Sequence, residues 1–349
     1  MPLAIRTLDA GSVAAWDAFV LAHPRATFFH RAGWAQAIER AFGQRTHFIF
    51  AERDGAIAGV LPLGSVRSRL FGHSLISVPF CVHGGPLGDE PATEAALLAA
   101  AERIMDQTSA PVLELRLLHD LDPAVFAAGA WPARDDLYVT FRKRFTNSDE
   151  ANLKAIPRKQ RAMVRKGIDR GLTSDVSRDA GGLHRIYAES VRNLGTPVFP
   201  RRWFQALLDT FGENAEIVTI RDGDNPVAAV MNFTFRDEIL PYYGGGTSAA
   251  RHTHANDFMY WEVMRRAAGR GLSLFDFGRS KRGTGAFAFK KNWGFEPEPI
   301  VHRYRLAPGA AIPDLNPLNP KYRLFIAAWK KLPLPLANLL GPAIVRGLG

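Results

Sequence analysis

The chain has 349 residues, 47% of them hydrophobic and 11% aromatic, which excludes an intrinsically disordered protein and allows one large domain or two medium ones. Lysine and arginine outnumber aspartate and glutamate by 44 to 34, and the resulting charge of +10 favours anionic partners such as nucleic acid, phospholipid headgroups or phosphorylated substrates. One cysteine, Cys81, excludes an intramolecular disulfide and a thiolate metal cluster.

Cys81 lies in the apolar run 78–82 and reads as a small buried hydrophobe. Residues 1–10 carry Arg6 and Asp9 and no continuous apolar core, so no secretory signal is expected. No run of about 18 uncharged apolar residues predicts a membrane-spanning helix. The expected location is therefore the cytoplasm. Ser12 precedes a helical pattern over 13–21, and Trp34, Ile38 and Phe42 stack at i, i+4, i+8 in a second helix over 33–42. Strand-like runs follow at 47–52, 57–65 and 74–80, with Asp54-Gly55 as a hairpin turn between the first two. A helix over 91–107 and a strand over 112–117 close the series. The same order returns after residue 180. Helices over 183–194 and around Trp203 precede strands at 216–220 and 227–235 about the turn Asp222-Gly223, then a strand at 240–243, a helix at 256–270 and a strand at 272–277. A repeat of roughly 170 residues with matching element order predicts two copies of one α/β unit, with boundaries at 1–145 and 175–306.

Between the halves, residues 150–172 form a basic connecting segment. Within 152–171, Lys154, Arg158, Lys159, Arg161, Arg165, Lys166 and Arg170 stand against one acid, Asp169. With Pro157 at the first helical position, Arg158, Arg161 and Arg165 fall on one stripe and Lys159, Lys166 and Arg170 on a second, with Met163, Val164 and Ile168 on the remaining arc. Gly167 is expected to weaken this helix. The segment reads either as a cationic trough for an anionic substrate or as the solvated face of a linker helix; the near-absence of acids favours the trough. Residues 307–349 are a tail: a stiff loop over 313–320 with three prolines, then an apolar stretch with Lys330, Lys331 and Arg346, interrupted by Pro333, Pro335 and Pro342. That stretch is expected to pack on the core, the other reading being peripheral contact with the inner face of the cytoplasmic membrane.

The chemistry-bearing stretch is 272–295. An apolar strand leads into a loop where Gly278, Gly283 and Gly285 accompany Arg279, Lys281 and Arg282, and a short helix with Phe287, Phe289, Lys290, Lys291 and Trp293 stops at Gly294. Glycines beside cations suit an oxyanion or phosphate; the other reading is a basic surface loop. Upstream, Tyr242-Tyr243 enters a glycine-rich bend, and Asn256 is expected to cap a helix whose amino end offers N–H groups to an anion. Gly-x-Ser-x-Gly, His-Glu-x-x-His, Walker and Cys-x-x-Cys patterns are absent. His252, His254 and Asp257 do not make a metal set, and none is expected.

Phe275-Asp276-Phe277-Gly278, followed by Phe289-Lys290-Lys291 and Trp293-Gly294-Phe295, resembles the closing signature of the Fem-type (FemAB-like) aminoacyltransferases, and in particular the FemAB-related proteins associated with exosortase/PEP-CTERM systems. The resemblance extends from about Trp16 to Tyr304, with its strongest motifs after Ile156. It implies a tandem pair of GNAT-like acyltransferase units with mixed sheets flanked by helices, an α/β (α+β) fold. It further implies N-acyltransfer, of an aminoacyl or acyl group, to an amine of a cell-envelope glycan, exopolysaccharide or peptidoglycan precursor. No tightly bound cofactor is implied; the co-substrate is an activated acyl donor, aminoacyl-tRNA or acyl-CoA. Coenzyme A users of the GNAT type carry an Arg/Gln-x-x-Gly-x-Gly/Ala loop, whereas Arg251-His-Thr-His-Ala-Asn256 keeps the arginine and lacks both small residues, which favours aminoacyl-tRNA or another donor.

By match, Lys290 is the lysine near the reacting centre, expected to stabilise an oxyanion or hold a phosphate, with Arg279 and Lys281 in support. Arg158, Lys159, Arg161, Arg165, Trp203, Tyr242, Tyr243, Asn256 and Lys291 complete the expected substrate-binding set. The expected partners are an anionic phosphorylated or glycan precursor and tRNA. The contrasting reading is a non-catalytic module that keeps the fold and binds an anionic polymer, RNA or a membrane surface.

Overall fold

A computed structural model describes residues 3–69, 71–126, 131–313 and 320–349, the side chains of 320–323 excepted. Residues up to 137 supply β1 (Ala4–Thr7), α1 (Val13–Ala22), α2 (Gly33–Phe42), β2 (Ile49–Arg53), β3 (Ala56–Leu61), β4 (Leu63–Ser68), β5 (Gly72–Ser77), β6 (Leu87–Gly88), α3 (Pro91–Thr108), β7 (Val112–Leu117) and β8 (Ala133–Arg134). There follow β9 (Tyr138–Arg144), α4 (Asp149–Ala155), α5 (Arg158–Asp169), β10 (Thr173–Ser177), α6 (Ala180–Leu194), α7 (Arg201–Phe211), β11 (Ala215–Asp222) and β12 (Asn225–Phe235). Next come β13 (Glu238–Gly246), α8 (Ala250–Thr253), α9 (Ala255–Gly269), β14 (Leu274–Asp276), β15 (Ser280–Lys281), α10 (Gly285–Asn292) and β16 (Pro297–Pro299). The chain ends with β17 (Val301–Leu306), α11 (Pro320–Trp329) and α12 (Leu334–Val345).

Two compact units result. The first comprises the described residues of Met1–Leu137, Pro299–Asp314 and Arg346–Gly349; the second, those of Tyr138–Glu298 and Leu315–Val345. The first holds a sheet in the order β1-β2-β3-β6 and another in the order β4-β5-β7-β17-β8; the second holds one sheet, β10-β11-β12-β13-β14-β9-β15, with β16 on β9. Their element orders correspond. In each, a short strand pairs antiparallel with the first strand after two helices (β1 with β2, β10 with β11). In each, a long helix joins two parallel strands (β5 and β7 across α3, β13 and β14 across α9).

The units are not collinear with the chain. β17 pairs antiparallel with β7 in the first unit, and β9 pairs antiparallel with β14 in the second. Each closing strand therefore comes from the stretch of chain that follows the other repeat. Linear boundaries at 1–145 and 175–306 cut across this exchange, because strand pairing rather than chain proximity decides which core a strand completes.

Local chemistry accounts for most element ends. Asp54 and Gly55, at φ 55° and 78°, make the tight β2–β3 turn. The run 57–65 is two strands and not one: Pro62 has no N–H for a ladder, and the chain passes from β3 in one sheet to β4 in the other. Ser12 does precede α1, but its side chain bonds to Asp9 and does not cap the helix. Trp34, Ile38 and Phe42 are buried, as is Cys81. The expected proline loop over 313–320 lies, except for its two end residues, outside the described residues.

Helix α5 runs Arg158–Asp169 with Pro157 as its N-cap and follows a separate short helix, α4. Its buried face is Gln160, Val164 and Gly167, not the expected Met163, Val164 and Ile168; Ile168 is exposed. The close packing of α5 on α9 decides this. A Cβ at Gly167 would lie 2.8 Å from Cβ of Phe258, so the glycine expected to weaken the helix is what lets the two helices approach.

Candidate active site

The candidate site lies in the second unit, where β13 and β14 part. These parallel strands pair only at Glu238–Leu274 and Ile239–Phe275. β14 then stops at Asp276 while β13 runs on to Gly246. Diverging parallel strands open a wedge at their carboxyl ends, the usual place for a ligand in α/β sheets. The glycine run 244–246 is thus the end of a strand and not a bend. A Cβ would meet the Tyr260 hydroxyl at Gly244 (3.1 Å), Ser190 at Gly245 (2.5 Å), and Ala250 and Asn256 at Gly246 (2.4 and 2.6 Å). Helices α6, α8 and α9 close on the strand there, and only glycine leaves them room. The N-cap position of α9 is His254, in the left-handed region at φ 59° and with no side-chain capping bond, and the expected cap Asn256 sits inside the first turn.

Tyr260 of α9 joins the parts. Its ring lies 4.6 Å from Phe277 and 5.7 Å from Phe289, and its hydroxyl sits beside Gly244. Burial raises that hydroxyl to about 12, so it is neutral and a donor near pH 7. Burial, reinforced by Tyr260, raises Tyr187 as well. The glycine strand end, the start of α9 and the 277–290 segment therefore meet around one aromatic wall.

Lys290 stands on α10 at this wall. Its Nζ donates to the carbonyl oxygens of Gly278 (2.8 Å) and Arg279 (3.0 Å), and it lies 5.7 and 5.6 Å from the ring centroids of Phe141 and Phe277. Burial lowers its pKa to about 7; Asp276 works against this and Arg279 with it. Near neutral pH the amine therefore interconverts between charged and neutral forms while two carbonyls hold its position. Arg279 and Lys281 do not converge on the same point. The Arg279 guanidinium lies 4.7 Å, and Lys281 Nζ 5.9 Å, from the centroid of the Tyr138 ring. Lys291 is exposed.

The Phe-Asp-Phe-Gly stretch has a physical explanation. Buried Asp276 accepts from Gly278 N (2.7 Å) and Thr140 Oγ1 (3.2 Å), fixing the turn that Gly278 makes at φ 71°. Its other oxygen is 3.5 Å from Arg142, which also bonds Glu238 at 2.8 Å. Burial, with Asp276 next, raises Glu238 to about 7 against the pull of Arg142. Sequence reading missed this lattice, as it missed Tyr260: Arg142 and Glu238 are neighbours only because β9 joins a sheet formed mostly by later strands.

Trp293 and Phe295 are anchors. The Trp293 indole donates to Asp257 Oδ1 at 3.0 Å, the atom that also accepts from Gln160 of α5. Phe295 packs 5.0 Å from Phe277. A crevice behind Trp293, lined by Lys143, Asn152, Ile156, Met264 and Phe295, encloses about 20 Å³, room for one water and not for a substrate. Trp203 is fully buried and donates to the Tyr243 hydroxyl at 2.9 Å, while Tyr242 is half-buried against Phe233. On α5, Arg158, Lys159 and Arg165 are exposed. Arg161 donates to the Lys154 carbonyl, and Arg170 pairs with Asp222 at 2.7 Å.

Residues 156–291 match the acetyltransferase (GNAT) domain family. The fold is a tandem of two GNAT-like units. It is similar to that of FemX, with a TM-score of 0.70 and 17% identity over 87% of this chain and 97% of that one. It is also similar to the C-terminal domain (DUF2156) of a putative lysylphosphatidylglycerol synthetase from Agrobacterium fabrum, with a TM-score of 0.56, 14% identity, and 86% and 93% of the two chains covered. A tandem GNAT protein from the clavulanic acid biosynthesis pathway aligns with a TM-score of 0.55 and 15% identity over 89% of this chain and all of that one (100%). These likenesses are of fold. No curated protein matches the chain.

Proposed function

We propose that the chain is an N-acyltransferase that works in the β13–β14 wedge. The observation that carries this reading is Lys290: a lysine held by two carbonyls at the wall where the strands part, with a pKa lowered to about 7. Attack of an amine on an activated acyl group needs the amine neutral, its proton removed as the new C–N bond forms, and donors for the tetrahedral oxyanion. Neutral Lys290 can take that proton, directly or through a water; as the ammonium it can stabilise the oxyanion. The neutral Tyr260 hydroxyl is a second donor on the same wall.

For the donor, aminoacyl-tRNA is favoured over acyl-CoA. The β13–α9 connection contains the helical turn α8 and a left-handed His254, where the sequence lacks the small residues of the coenzyme A loop. Arg158, Lys159 and Arg165 point outward on α5 with no carboxylate partner among the described residues, a surface suited to a nucleic-acid backbone. The acceptor class, an amine on an envelope glycan, exopolysaccharide or peptidoglycan precursor, follows from the Fem-type resemblance, as does the exosortase/PEP-CTERM setting. The same exposed cations favour the contrasting reading, a non-catalytic module that binds an anionic polymer.

Full-length protein incubated with aminoacyl-tRNA or acyl-CoA and an amino-sugar nucleotide acceptor tests the proposal. Mass transfer onto the acceptor is expected with wild type and is reduced by Lys290→Met. Tight RNA or polyanion binding with no transfer from any donor would establish the binding module instead.

A further inference from the structure

The chain ends in a helical hairpin whose outer face is apolar. The inner face is well accounted for in the second unit. Ala337, Gly341 and Val345 of α12 are buried at i, i+4, i+8, and a Cβ at Gly341 would lie 2.8 Å from the Val198 backbone nitrogen. On α11, Trp329 is buried and Ile326 packs where a Cβ at Gly195 would lie. So the tail does pack on the core. Its other side does not follow the rule for such helices, which is to turn polar residues outward.

Leu324 is 84% exposed and Leu339 73%, and Phe325, Leu336 and Leu340 are exposed as well. Among the described residues, half of the exposed large hydrophobic side chains are thus in these two helices. Between α11 and α12 lies an apolar groove of about 300 Å³, with Phe325, Trp329, Leu332 and Leu340 on its walls. Leu194, 65% exposed, ends α6 beside the Gly195 that Ile326 covers. An apolar groove accompanied by this many exposed large hydrophobic side chains marks an interaction face.

Charge identifies what covers it. From Lys321 to Gly349 the sequence has Lys321, Arg323, Lys330, Lys331 and Arg346 and no aspartate or glutamate. Lys330 and Lys331, both exposed, open the connector between the two apolar helices. Leucine and phenylalanine on one face, with lysine at the margin and no acid, is the pattern of a helix lying in the plane of an anionic bilayer. No helix among the described residues is long and apolar enough to cross a membrane, so the geometry is that of surface contact.

We propose that the α11–α12 hairpin docks the protein on an anionic lipid surface, with the Leu324–Leu339 face in the headgroup–acyl boundary and Lys330 and Lys331 against the headgroups. This is independent of the acyltransfer reading, and its test uses no activity.

Full-length protein is sedimented with phosphatidylglycerol–phosphatidylcholine vesicles and with phosphatidylcholine vesicles alone. Binding to the anionic vesicles is expected to be at least tenfold tighter and to weaken at high salt. Leu324→Glu/Leu339→Glu should abolish binding, and Lys330→Glu/Lys331→Glu should remove the preference for anionic lipid. Both variants change exposed positions, and thermal unfolding checks that each is folded. No vesicle binding by folded wild type, or binding that neither double variant alters, overturns the proposal. So does a concentration-dependent dimer that Leu324→Glu/Leu339→Glu dissolves in the absence of vesicle binding, which would make the face an interface between copies.

Discussion

The Trp293 indole and the Asp257 carboxylate are joined at 3.0 Å inside the core of the second unit. The same Asp257 oxygen accepts from Gln160, so one atom ties α5, α9 and the residue that ends α10. A buried acceptor that loses a donor keeps its desolvation penalty. Trp293→Phe should therefore lower stability by about 1–3 kcal/mol, seen as a lower urea midpoint at unchanged slope. A midpoint equal to wild type would show that the tie contributes nothing.

Gly167 offers a prediction in which two effects have opposite signs. Helix propensity alone favours Gly167→Ala by about 1 kcal/mol. The structure puts the new methyl 2.8 Å from Phe258 Cβ, and overpacking of that kind costs about 1–3 kcal/mol. A net loss of stability is expected. A more stable Gly167→Ala protein would mean that α5 and α9 are not in this contact.

Lys290 should titrate near 7. Competitive labelling with an amine-directed reagent measures this directly, against about 10.4 for an ordinary lysine. The lowered pKa also sets a sign for stability. Between about 7 and the unfolded value near 10.5, the unfolded chain binds more protons at this residue than the folded one, so its contribution to stability rises with pH across that window. The Lys290→Met protein should lose this part of the rise. Unchanged curves for the two proteins, or labelling at pH 10, would remove Lys290 from the candidate site.

If Lys290 meets the developing charge, Lys290→Met should reduce turnover by roughly 10²–10³-fold with a smaller effect on KM. The pH–rate profile should separate its roles. A neutral base gives a rate that rises through about 7, and an ammonium donor gives one that falls through it. A flat profile with full activity in the variant would sink both.

Charge reversal on α5 probes the substrate surface. Arg158→Glu/Lys159→Glu/Arg165→Glu changes exposed positions, so stability should move by less than about 1 kcal/mol. Binding to tRNA or a phosphorylated precursor, measured by fluorescence anisotropy, should weaken at least tenfold, and the salt slope should decrease by about one per lost phosphate contact. Equal affinity and slope would leave these cations as a solvated face.

Much of this protein is local in origin and legible in its sequence. The period of Trp34, Ile38 and Phe42, the Asp54-Gly55 turn and the repeated element order each depend on residues a few positions apart, so the α/β class and the doubled unit follow from the chain alone. The Phe-Asp-Phe-Gly and Phe-Lys stretches likewise marked the segment that forms one wall of the wedge. Other features exist only after distant strands pair. β9 and β17 complete sheets out of chain order, which no linear boundary expresses. Arg142 meets Glu238 and Asp276 through that exchange. The glycines at 244–246 and 167 look like breaks in a pattern until the helices they admit are in place. The basic stripe of α5 was visible from periodicity, but which arc is buried depended on the helix it meets. Lys290 shows the division within one residue: sequence resemblance pointed to it, and only burial against Phe141 and Phe277, with the Arg279 charge nearby, gives that amine its lowered pKa, while two carbonyls hold its tip.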